Sequence, residues 1–70
     1  MNKTTKRNLF VVVFRTEEDD RKGFKVMHKV GGSITERVVK EDGKEKVLTF
    51  IDEKHLKELR RHKDIMFDVL

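Results

Sequence analysis

Phe24-Lys25-Val26-Met27-His28-Lys29-Val30, followed by Gly31-Gly32-Ser33 and then Ile34-Thr35-Glu36-Arg37-Val38-Val39-Lys40, is the stretch that decides the fold. In the first segment Phe24, Val26 and Val30 share one side and Lys25 and Lys29 the other, the alternation of a half-buried strand. The glycine pair supplies a turn, and the next strand runs from about Ile34 to Lys40. Register then fixes which face is which, because a one-residue slip moves every side chain of a strand to the opposite face. A two-residue Gly31-Gly32 turn pairs Val30 with Ser33 and sets Arg37, Val39, Leu48 and Phe50 beside Phe24 and Val26, mixing charge into the core. A three-residue loop, Gly31-Gly32-Ser33, pairs Val30 with Ile34 instead. It collects Phe24, Val26, Val30, Ile34, Val38, Val47 and Ile51 on one face with His28, Glu36 and Thr49, and sets His28 opposite Glu36. The three-residue loop separates polar from apolar better and is the expected register.

Downstream, Glu41-Asp42-Gly43-Lys44 forms a tight hairpin through an Asp-Gly pair that tolerates positive φ. A strand over Lys46 to Ile51 follows. Asp52 next offers a carboxylate to the free backbone donors of a helix, with Ile51 and Leu56 placed as a hydrophobic staple. At 100° per residue Leu56, Leu59, Met66, Phe67 and Leu70 fall on one arc beside His55, His62 and Lys63, with Ile65 alone out of place. Opposite charges at Glu53 and Lys57, and at Arg60 and Asp64, support the same helix. The periodicity predicts one helix from about Glu53 to Val69; a shorter helix followed by a further strand over residues 64–70 is the alternative.

Upstream, Leu9-Phe10-Val11-Val12-Val13-Phe14 is apolar on both alternating positions, as in a strand covered on both faces or placed centrally. Phe10, Val12 and Phe14 match the larger core, which turns Leu9, Val11, Val13 and Arg15 outward. Glu17-Glu18-Asp19-Asp20-Arg21-Lys22-Gly23 lacks periodicity and reads as a solvated loop. The resulting expectation is an α+β domain over residues 8–70, preceded by a basic arm over residues 1–7. A four-stranded antiparallel meander carries one C-terminal helix on one face, in two layers.

Composition is consistent with this size and class. Seventy residues allow a single domain with a marginal core. Hydrophobic residues at 36% and charged residues at 43% frame a small, highly charged chain. Its apolar residues are nevertheless β-branched and aromatic types in ordered patterns, unlike a disordered tail. With no cysteine, neither disulfides nor thiolate metal sites stabilise it. The longest apolar run, Leu9 to Phe14, is far short of the roughly 20 residues that span a bilayer. No membrane role and a cytoplasmic location are therefore expected.

Catalytic parts are sparse. Ser33 is the one serine and sits in a turn, with no histidine and orienting acid beside it. His55, Glu58 and His62 share a helical stripe, but the pattern is not H-E-x-x-H, and histidines bordering the buried stripe beside a solvated Glu58 explain it better. Gly31-Gly32 lacks the context of a phosphate loop. The His28 and Glu36 pair reads as a satisfied cross-strand contact rather than a pH switch. Basic residues Lys57, Arg60, Arg61, His62 and Lys63 compensate the helix dipole. No enzymatic activity, cofactor or metal is expected.

Binding is the function left, and it falls on the uncovered sheet face. That face collects Arg15, Lys25, Met27, Lys29, Arg37, Lys46, Leu48 and Phe50 along with Thr35, Val39 and the outward side chains of the first strand. Its five charged residues are all basic, around an apolar centre too large for an idle surface. With a formal net charge of +4, the leading expectation is DNA or RNA binding of low sequence specificity, the cations neutralising phosphates. The alternative is a protein-binding regulator or inhibitor of the short phage type that docks on an acidic protein surface. The same face could also pair two copies into a homodimer.

Overall fold

The computed structural model describes residues 9–70. The expected N-terminal arm, residues 1–7, lies outside the described residues. Six elements follow in chain order: β1 (Phe10–Phe14), α1 (Glu17–Val30), β2 (Thr35–Glu41), β3 (Lys44–Ile51), α2 (Glu53–Arg61) and β4 (Phe67–Val69).

The sheet is four-stranded, in the order β2-β3-β1-β4, and every neighbouring pair is antiparallel. It is therefore not a meander. Helix α1 carries the chain from β1 to β2 past β3, and α2 carries it from β3 to β4 past β1. This is the split β-α-β-β-α-β arrangement of ferredoxin-like topology, with two helices where one was expected.

The largest correction falls on residues 17–30, expected as loop and strand and found as one helix. Thr16 is its N-cap, accepting from the Asp19 N–H at 3.1 Å while its hydroxyl donates to the Asp19 carboxylate at 2.7 Å. Glu17, Glu18, Asp19 and Asp20 occupy the first turn, where carboxylates meet the positive end of the helix dipole. Gly31, at φ 83°, closes the other end, its N–H donating to the His28 carbonyl. Asp19, Gly23 and Met27 recur every four residues along the buried stripe. Alternation at Phe24, Val26 and Val30 is a partial view of that stripe. Gly23 is required by proximity: a Cβ there would collide with the Phe14 ring, so the glycine lets α1 close on β1.

The second correction concerns the C-terminal segment. Helix α2 stops at Arg61, and Phe67–Val69 joins the sheet beside β1, with Val12 opposite Val69 and Phe14 opposite Phe67. The strand alternative is the observed one. Ile65, the misfit of the helical arc, is buried in the core while Met66 is exposed. Asp64 pairs with Lys22 of α1 at 3.6 Å rather than with Arg60.

Both helices cover one face of the sheet. Val12, Met27, Ile51, Leu56, Leu59 and Ile65 form the buried core, with Phe10, Phe14, Phe24 and Phe67 packed against it. The Phe14 ring lies 6.2 Å from that of Phe24 and 6.3 Å from that of Phe67. His55 is fully buried and ties the two crossovers together. Its Nδ1 accepts from the Asp52 N–H at 3.1 Å, and its Nε2 donates to the Gly31 carbonyl at 2.6 Å. Asp52 is the N-cap of α2, in a capping box whose other arm is its backbone N–H donating to the His55 side chain. With both ring nitrogens occupied, His55 has no lone pair for a metal.

The Asp42-Gly43 hairpin forms as expected, both residues at positive φ (57° and 77°), with Glu41 opposite Lys44. Its two strands extend beyond the helices. Val38 and Val47, facing each other on the helix side, stay 59% and 37% exposed.

Candidate functional site

Alternation in β1 and β3 defines the uncovered face. Val12 and Thr49 pair on the helix side and are buried, so Val11 and its partner Phe50 point the other way. The register of β2 on β3 adds Thr35 opposite Phe50, Arg37 opposite Leu48, Val39 opposite Lys46 and Glu41 opposite Lys44. On the other side, Val13 pairs with Asp68 of β4.

Of the residues expected on this face, Arg15, Arg37, Lys46, Leu48 and Phe50 lie there. Lys25, Met27 and Lys29 do not, because α1 replaces the strand that would have carried them. Lys25 and Lys29 are exposed on α1, and Met27 is fully buried beneath it. The His28 and Glu36 pair does not exist either: His28 sits on α1, its ring 6.0 Å from that of Phe24, and Glu36 sits on β2.

Two carboxylates change the electrostatics of the face. Asp68 accepts a 2.9 Å hydrogen bond from the Arg15 guanidinium, which holds the Asp68 carboxyl below its ordinary range and raises Arg15 further. Glu41 lies 3.8 Å from the Lys46 ammonium. Arg37 has no carboxylate within ion-pair distance among the described residues, and it lines a shallow depression with Leu9, Thr35 and Phe50. A second depression brings Val39, Leu48 and Leu70 together beside Lys46.

The surface is thus an apolar centre of Val11, Val13, Val39, Leu48 and Phe50, with Leu9 and Leu70 at its margins. Both ion pairs, Arg15–Asp68 and Lys46–Glu41, lie at one end of the strands, where Arg15 and Lys46 line the same depression. Asp68 and Leu70 were missed because the helical reading placed them on a helix. The signal was present in the alternation of Ile65, Phe67 and Val69 against Met66, Asp68 and Leu70. Among the described residues no group of three or more metal-binding side chains converges, and no helix is long and apolar enough to cross a membrane. Comparison with family models, curated proteins and solved structures finds no match.

Proposed function

We propose that this chain is a non-enzymatic protein-binding module that docks the uncovered face of its sheet on a partner protein. The surface it fits has an apolar stripe flanked by acidic side chains. One observation carries the choice over nucleic acid: Arg15 and Lys46 are already engaged by Asp68 and Glu41 on the same face. A phosphate backbone would have to displace those carboxylates, whereas a protein surface can bury the apolar centre and leave the pairs at its rim. Among the described residues Phe50 is the only aromatic side chain on the face, thin for the base stacking that single-strand binders use. Phe50 and Leu48, half-buried at the centre, are the anchors; Arg37, with no ion pair among the described residues, supplies the attraction to acid.

Arg37 and Phe50 lining one depression is the observation that favours the second reading, a nucleotide stacked on Phe50 with its phosphate on Arg37. Chemical-shift mapping separates the two. Nonspecific duplex DNA and single-stranded RNA are titrated at low salt, and a negatively charged protein with an exposed apolar stripe is titrated in parallel. Shifts at Leu48, Phe50 and Val11 with the protein alone support docking. A nucleic-acid response centred on Arg37 and Phe50, with a steep salt slope that flattens in Arg37→Ala, overturns it.

A further inference from the structure

Beyond the uncovered face, the described residues leave one sheet edge open along its whole length. Among the described residues strand β2 pairs only with β3, so no described strand lies along the other side of residues 35–41. The edge at β4 is three residues long, less than half of the seven in β2. Long edges invite pairing unless their charges oppose it. Here the charges favour one particular partner.

We infer that β2 is a self-association edge, pairing antiparallel with β2 of a second copy about a twofold axis at Val38. In that register all seven residues are matched: Thr35 meets Glu41 of the partner, Glu36 meets Lys40, Arg37 meets Val39, and Val38 meets itself. Two Glu-Lys pairs therefore flank the centre on the helix side. On the opposite face Arg37, opposite the second copy's Val39, has that copy's Glu41 on one diagonal and its Arg37 on the other. Glu36, Arg37 and Lys40 have no ion pair within their own chain among the described residues, so each is free to make these contacts. Shifting the axis to Arg37 sets guanidinium against guanidinium, and shifting it to Val39 pushes Thr35 and Glu36 against the hairpin turn.

The apolar surface agrees with the same axis. Val38 and Val47 are the exposed valines of the overhanging hairpin. Across the axis they would line up as Val47, Val38, Val38 and Val47 over four adjacent strands, burying apolar area that the helices leave uncovered. Because paired residues keep their faces, all four helices lie on one side and the two uncovered faces join into one eight-stranded surface. The proposal does not rest on what that surface binds.

Charge reversal tests it by sedimentation equilibrium across a concentration series into the millimolar range. Wild type is expected to dimerise reversibly. Glu36→Lys opposes Lys40, and Lys40→Glu opposes Glu36, so each single variant should weaken the dimer at least tenfold. The double variant Glu36→Lys/Lys40→Glu restores complementarity and the dimer, and an equimolar mixture of the two single variants forms a heterodimer. Unchanged thermal unfolding of these exposed-site variants confirms that they remain folded. A wild type that stays monomeric throughout, or a dimer indifferent to both reversals, overturns the proposal. A dimer lost instead in Phe50→Asp would place self-association on the uncovered face, which separates failure here from failure of the docking reading.

Discussion

Asp19 takes part in three contacts that hold separate segments together. Its Oδ2 accepts from the Thr16 hydroxyl, its Oδ1 accepts from the Met66 N–H at 3.1 Å, and its own N–H donates back to Thr16. The Met66 bond, then the Thr16 bond, hold its carboxyl below the ordinary range. A carboxylate depressed on folding adds stability that is present above its unfolded pKa, about 4, and is lost as pH falls through the folded value. Asp19→Asn should therefore be less stable than wild type at neutral pH, the gap closing below about pH 4; urea midpoints measured across pH give the comparison. Gly23 sets two effects against each other. Gly23→Ala gains about 1 kcal/mol of helix propensity, but the added methyl meets a Phe14 ring already packed between Phe24 and Phe67. Overpacking of that kind costs about 1–3 kcal/mol, so denaturant titration should show net destabilisation. Thr49 is buried, and its hydroxyl has no hydrogen-bond partner among the described residues. Thr49→Val keeps the shape and removes the orphan, and should raise stability by about 1 kcal/mol in the same titration.

At the scale of elements, the boundary between α2 and β4 is tested by Ile65 and Met66, which exchange roles between the two readings. With Ile65 buried and Met66 half exposed, Ile65→Ala should cost about 2–4 kcal/mol and Met66→Ala less than about 0.5 kcal/mol; a continuous helix would reverse that order. The sequence alone made β1, the Asp-Gly hairpin, β2, β3 and the start of α2 legible, because each carries its own periodicity or turn chemistry. Alternation sorted the side chains of those three strands into two sets, so Arg15, Arg37, Lys46, Leu48 and Phe50 do share a face. The expected reason, a three-residue loop pairing Val30 with Ile34, does not hold, because Val30 ends α1 and Gly31 caps it. Helix α1 was masked by Glu17 to Asp20, whose charge resembles a loop unless Thr16 and Asp19 are read together as a capping box and Gly31 as the C-terminal stop. The end of α2 carries no glycine or proline. Local propensity continues the helix there, and only tertiary contacts, the burial of Ile65 and the Met66 bond to Asp19, stop it.

At the scale of the molecule, the crossovers interleave: β1 sits between β3 and β4, and β3 between β1 and β2. Neither β-α-β half has a complete sheet of its own, since the strands of each half are held apart by a strand from the other. Their only covalent link is the Asp42-Gly43 tip, an exposed turn remote from the core. Severing the backbone at that tip should leave two pieces that are unstructured separately. Mixed in equal amounts they should recover the circular dichroism and cooperative melting of the intact chain, at a midpoint that rises with concentration.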